Sequence, residues 1–140
     1  MLDQLNASFN FMQQSLALHA KRQEVLSANI ANADTPNYKA RDFNFSEQLD
    51  AALENSQADM SSARTLAVTS PGHMAGLGSG ALSDMQLGYR VPAQSSLDGN
   101  TVDMDMERVN FADNSLHYQA DLQMLTNQIQ SMTTVMRSSD

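Results

Sequence analysis

The chain has no cysteine and no tryptophan among its 140 residues. The first absence removes disulfides, thiolate metal sites and cysteine nucleophiles. Five phenylalanines and three tyrosines are its aromatic side chains. Positive charge is also scarce: eight Lys and Arg stand against sixteen Asp and Glu, a net charge of −8. That balance is wrong for nucleic acid, which selects clustered basic side chains, and it disfavours anionic membrane surfaces. No stretch approaches the roughly 18 consecutive apolar residues of a membrane span. The start, Met1-Leu2-Asp3-Gln4, has neither the basic region nor the apolar run of a signal peptide. Those rules alone predict a cytoplasmic protein, and leave open export that reads other features. Charged residues make up 17% and apolar residues 41%, too little to expect one large core.

What the chain does have is pattern at both ends. Leu2, Leu5, Phe9, Met12, Leu16, His19, Gln23, Leu26 and Ile30 follow steps of three and four. This heptad spacing predicts a helix over about 3–32, roughly 45 Å long. Phe111, Ser115, Tyr118, Leu122, Leu125, Ile129, Met132 and Met136 repeat the spacing, predicting a second helix over about 104–137, roughly 50 Å long. Asp103, Asp105 and Glu107 put negative charge at its positive end. The expected fold is mainly α, with the two terminal helices pairing as an antiparallel coiled coil (1–35 with 101–140). Between them lies a central segment, 36–100, with a short helix over about 44–55 and an irregular, partly β remainder. Asn44 and Glu47 mark that short helix's start. Leu66-Ala67-Val68 and Tyr89-Arg90-Val91 are the strand candidates, and Gly72 to Gly80 reads as a loop. Two such helices bury too little surface to be very stable alone, and the ten methionines favour adaptable contacts. Both point towards assembly. The packing seams are then Leu5, Phe9, Met12, Leu16, Leu26 and Ile30 on the first helix. On the second they are Tyr118, Leu122, Leu125, Ile129, Met132 and Met136.

The motifs of catalysis are missing. The histidines at 19, 73 and 117 lie far apart, in a seam, a loop and a helix, with His19 expected at a wetter seam position. There is no His-Glu-x-x-His run, no Gly-x-Ser-x-Gly elbow and no phosphate loop. The acidic stretch from Asp98 fails the EF-hand spacing in both possible frames, so Asp98-Gly99 is read as a turn into a helix. No enzyme activity, cofactor, metal or small-molecule substrate is expected.

Residues 28 to 38 read Ala-Asn-Ile-Ala-Asn-Ala-Asp-Thr-Pro-Asn-Tyr. Physically this is a helix end: Pro36 cannot continue the helix, it pushes Thr35 towards an extended shape, and Asn37 supplies turn chemistry. Asn29 and Asn32 share a face, and beside simple termination of the helix, small residues and amides would let the corner pack closely and hydrogen-bond to a neighbour's backbone. The segment resembles the N-terminal signature of bacterial flagellar rod and hook proteins, carried here by Asn29, Asn32, Thr35, Pro36 and Tyr38. Tyr38 to Phe43, Tyr89 to Pro92, Leu97 to Asp105 and Phe111 to Leu116 resemble the proximal-rod branch rather than its FlgC-type relatives. The resemblance spans the chain except about 56–88.

The resemblance implies a structural subunit that stacks its terminal helices into a hollow, torque-transmitting tube. Its workplace would be the periplasmic rod of the basal body, reached through the flagellar type III export gate without signal cleavage. Implied partners are other rod subunits (itself, FlgC-type and further rod proteins) and membrane-ring or ring-rod junction proteins. Phe45 followed four residues later by Leu49 matches the pattern the family's export gate reads; the same pair also suits the core face of a short helix. A cytoplasmic helical adaptor or export chaperone is the second possibility, since acidic charge and amphipathic helices suit that class too.

Overall fold

The computed structural model describes residues 2–61, 87–91 and 97–137. Three helices carry most of it: α1 (Leu2–Ala31), α2 (Phe45–Ser61) and α3 (Met104–Arg137). Two-residue strands β1 (Arg41–Asp42) and β2 (Gly88–Tyr89) pair antiparallel, with Arg41 opposite Tyr89 and Asp42 opposite Gly88. The terminal helices lie where the spacing predicts them, and α1 packs along α3. α2 runs to Ser61, beyond the expected end near 55, and packs on α1. The strand expected at Tyr89 to Val91 begins and ends earlier, at Gly88 and Tyr89. The strand candidate at 66–68, the loop at 72–80 and His73 lie outside the described residues.

Local chemistry explains each boundary. After α1 the Tyr38 amide donates to the Thr35 carbonyl at 3.3 Å, and Asn37 between them has a φ of 61°. Proline in second place and a left-handed Asn in third are the signature of a type II turn. α3 starts at a capped end: the Met106 amide donates to the Asp103 carboxylate at 3.2 Å, and the Glu107 amide to the Asp103 carbonyl at 2.9 Å. At α2 the Asn44 carbonyl accepts the Gln48 amide at 3.1 Å, closing the first helical turn at the expected cap.

The apolar core is small and sits at one end. It comprises Leu18, Val25 and Leu26 of α1, Ala40 and Phe43 of the corner, and Ala52 of α2. Six polar residues are as deeply buried: Ser15, His19, Asn29, Asn100, Glu107 and Asn114. No buried side-chain polar atom among the described residues lacks a hydrogen-bond partner, as a core with this much polar content requires.

The seam between α1 and α3 is therefore a polar ladder. Ser15 donates to Asp121 at 2.5 Å, and His19 Nδ1 lies 2.8 Å from Asn114 Oδ1. Asn114 donates in turn to the His19 carbonyl at 2.9 Å and to Gln23 Oε1 at 2.6 Å. Gln23 then donates to Ser115 at 2.8 Å. Three expectations change here. His19 is not a wet position: it is 8% exposed and its ring stacks on Phe45 at a centroid distance of 4.3 Å. His19 and His117 are not far apart, since their rings stack at 5.8 Å. The α3 stripe facing α1 combines Tyr118, Leu125 and Met132 with Asn114 and Asp121, leaving Leu122, Ile129 and Met136 exposed. The rotation follows from α1, whose Ser15, His19 and Gln23 need polar partners that only Asn114, Ser115 and Asp121 supply.

Candidate assembly site

The corner after α1 is held by Asn29, which is fully buried. Its amide nitrogen donates to the Arg41 carbonyl at 2.7 Å and to Glu107 at 3.3 Å. Its oxygen accepts the Arg41 amide at 3.1 Å and the Tyr38 hydroxyl at 3.3 Å. One side chain thus docks β1 against α1 as a neighbouring strand would. All four bonds lie within the chain, so Asn29 has no donor or acceptor left for a neighbour. Asn32 instead folds back on its own helix end, donating to the Ala28 carbonyl at 2.8 Å and accepting the Thr35 hydroxyl at 3.2 Å. Thr35, Pro36 and Asn37 form the exposed tip of the corner.

The segment before α3 locks that tip. Asn100 is 6% exposed. Its amide group faces the carbonyls of Asn32, Ala33 and Thr35 at 3.1, 2.6 and 3.1 Å, satisfying acceptors that a helix end leaves open. The Asn37 amide donates to the Asp98 carbonyl at 2.9 Å, and the Thr101 amide to the Tyr38 carbonyl at 3.0 Å. Gly99 has a φ of 72°, and a Cβ there would lie 2.7 Å from Asn37 Oδ1. Only glycine takes this conformation cheaply.

Four charged side chains clasp the helices to the ribbon. Arg90 donates to Glu107 of α3 and to Asp42 of β1, each at 2.5 Å. Arg22 of α1 reaches Asp42 with Nε at 3.3 Å and a terminal nitrogen at 3.1 Å. The Arg90 amide also donates to the Ala40 carbonyl at 2.9 Å, extending the ribbon by one bond. Two cations and two anions balance. Burial pushes the Asp42 carboxyl up, but hydrogen bonds from Arg22, the Phe43 amide and Arg90 outweigh it and hold the group below its ordinary range. Burial likewise raises Glu107, and there Arg90 and Asn29 offset it only in part. Burial raises and Arg90 lowers both carboxylates; Asp42 ends low because Arg22 and the Phe43 amide add to Arg90, and Glu107 ends high because burial outweighs its partners.

The expected seam residues divide into two groups. Leu26 is buried, and Leu5, Phe9, Met12, Leu16, Ile30, Tyr118, Leu125 and Met132 are half-buried. Leu122, Ile129 and Met136 are 40%, 49% and 65% exposed, and Val109, Leu116, Met124 and Val135 join them on the open surface. Phe45 and Leu49 are half-buried on α2. The spacing did not single out the clasp. The alternating repeat continued back from Phe111 reaches Arg108, so it held no signal for Glu107 either. Nothing in the spacing pointed to Arg22, Asp42 or Arg90, whose roles depend on a ribbon joining distant segments.

Among the described residues no group of three or more His, Asp or Glu side chains is placed to hold a metal, and no helix is long and apolar enough to cross a membrane. The geometry is that of a joint with large open apolar faces. Residues 9–39, most of α1 with the corner that follows it, match the family model described as flagella basal body rod protein. The chain is 50% identical over 137 residues to the flagellar basal body rod protein FlgB of Proteus mirabilis (strain HI4320), covering 98% of each chain. To the Escherichia coli (strain K12) protein of the same name it is 49% identical over 142 residues, covering both completely. To that of Buchnera aphidicola it is 41% identical over 140 residues, covering 98% of this chain and 99% of the other. Identity of this degree over the full length, with the matched corner built as a fixed joint, means that the chain belongs to the FlgB family of flagellar basal body rod proteins.

Proposed function

We propose that the chain is a structural subunit of the flagellar basal body rod and works in its proximal part, linking the membrane ring to the distal rod and transmitting torque. The observation that carries this is the set of exposed apolar side chains on α3. A monomer has no use for Val109, Leu116, Leu122, Ile129, Val135 and Met136 in water, all at least 40% exposed on one helix. Side-by-side packing of terminal helices from neighbouring subunits would cover them. The seams then comprise the half-buried residues of α1 and α3 together with Leu122, Ile129 and Met136. The clasp keeps the two helices of each subunit in one register while load passes through them.

The partners in this reading are further copies, FlgC-type and other rod subunits, ring or ring-rod junction proteins, and the type III export gate. The role is structural, with no catalysis and no cofactor. Delivery to the periplasmic rod would proceed without signal cleavage. The Phe45 and Leu49 export pattern is half-buried in the folded chain, so a gate that reads it would meet it before folding is complete. The cytoplasmic adaptor or export chaperone, the second possibility from sequence, has no support from the family.

Electron microscopy of basal bodies from a strain lacking this chain tests the reading. Rings without rods, restored by the intact gene, are the expected result. Normal rods and filaments would remove the chain from the rod.

A further inference from the structure

A basic groove lies on the side of α1 that carries Lys21 and Val25, closed by the corner and the ribbon. It measures about 520 Å³. Its wall carries Lys21, Lys39 and Arg41 against the single acid Glu24, and its apolar surface comes from Val25, Ala28, Leu87 and Tyr89. Lys21 pairs with Glu24 at 2.7 Å. Lys39 donates to the Gly99 carbonyl at 2.7 Å, and the Arg41 guanidinium sits 5.4 Å from the centre of the Tyr89 ring. Neither Lys39 nor Arg41 has a carboxylate partner among the described residues. In a chain of net charge −8 with eight basic side chains, gathering three of them around one groove, two without an acid, is a costly use of a scarce residue type.

A matching surface exists on the same chain. Val109 and Leu116 of α3 are 63% and 66% exposed, and at about 100° per residue they fall on one line. Asp105 and Asp113 flank that line at about 40° on either side, both exposed. Ala112 and Ala120 keep the ridge narrow, and both are exposed. Arg108 lies about 100° round from Val109 and stays outside the ridge; His117 Nε2 is 3.7 Å from Asp113. No α3 residue lines the groove, so a chain cannot seat its own ridge there with its helices packed as they are.

We propose that the basic groove of one subunit receives the acidic-flanked α3 ridge, Val109 to Leu116, of a second copy of this chain. The inference rests on the rod-subunit reading and names the patches that join. Lys39 and Arg41 face Asp105 and Asp113, while Val109 and Leu116 cover Ala28, Val25 and Tyr89. Because groove and ridge are different patches, the contact is head-to-tail, and repeating it generates a helical series rather than a closed pair. Opposite charge at the rim fixes orientation, and the apolar centre supplies the burial.

The natural lack of cysteine makes the test clean. Ala28→Cys and Ala112→Cys chains are co-expressed in a strain lacking the natural gene, and purified basal bodies are oxidised. A disulfide-linked dimer that needs both variants is the expected result, and it is absent when Ala28→Cys is paired with a cysteine at exposed Ala7. Reversal of groove charge by Lys39→Glu with Arg41→Glu should cost rods, and Asp105→Lys with Asp113→Lys on the same chain should restore them. Rods that contain both cysteine chains but form no dimer would overturn the proposed contact and leave the rod reading standing. Absence of every cysteine chain from basal bodies that nevertheless carry rods would overturn the rod reading itself.

Discussion

Arg90 and Glu107 meet at 2.5 Å, and Glu107 has no exposed surface. Through this pair a residue just after the ribbon determines whether a carboxylate inside the helix pair is tolerable. Arg90→Ala leaves Glu107 buried without its cation, and the loss is expected near 3 kcal/mol, at the low end for a broken buried pair because Arg90 is partly exposed. Glu107→Gln keeps the shape, removes the charge and costs less. Urea melts of the isolated chain measure both; an Arg90→Ala chain as stable as the parent would show that the clasp carries no stability.

The two carboxylates of the clasp give opposite pH dependences. Glu107 is raised in the folded chain, so folding takes up a proton and stability grows as pH falls through the folded value towards the ordinary Glu range. Asp42 is lowered, so its contribution is full above the ordinary Asp range and is lost as pH falls through its folded value. For these two groups, melting temperature should rise as pH falls towards the ordinary Glu range and fall once pH drops below the ordinary Asp range. Glu107→Gln should flatten the rise and leave the fall. Thermal melts across pH in parent and variant decide this, and an unchanged rise would place its origin elsewhere.

Asn114 holds three partners on α1. Asn114→Ala strands the His19 ring nitrogen and Gln23 Oε1 in the seam, while the His19 carbonyl keeps its bond within α1. The expected cost is about 2–3 kcal/mol, seen as a lower urea midpoint. A loss under about 0.5 kcal/mol would mean the ladder relaxes or admits water.

Gly99→Ala should destabilise the corner by about 1–2 kcal/mol. The backbone conformation dominates, because the atom a Cβ would meet is the movable end of Asn37. A melt of the variant checks it, and a stabilised variant would contradict the left-handed φ.

Assembly and folding can be separated on α3. Ile129 is 49% exposed, so Ile129→Asp should change monomer stability by less than about 0.5 kcal/mol yet prevent rod formation. Leu16→Asp and Leu125→Asp, at half-buried positions, should lose both. Motility and basal-body micrographs read the first property, urea melts the second. Normal rods built from Ile129→Asp chains would exclude that face from the assembly seam.

The sequence by itself determined the two terminal helices and their ends. Heptad steps from Leu2 to Ile30 and from Phe111 to Met136, with Pro36 and Asp103 as stop and start, are local signals, and α1 and α3 obey them. The segment from Ala28 to Tyr38 also carried the family. What only the tertiary structure decided is which side of α3 turns inward. A three-four repeat shares Tyr118, Leu125 and Met132 between two possible stripes, and apolarity alone selects the one with Leu122 and Ile129. The chain buries Asn114 and Asp121 instead, because Ser15, His19 and Gln23 on the facing helix must find polar partners. The clasp was equally hidden. Arg22, Asp42, Arg90 and Glu107 span 85 positions of the chain from Arg22 to Glu107, and their pairing exists only once β1 and β2 have joined the segments that carry them.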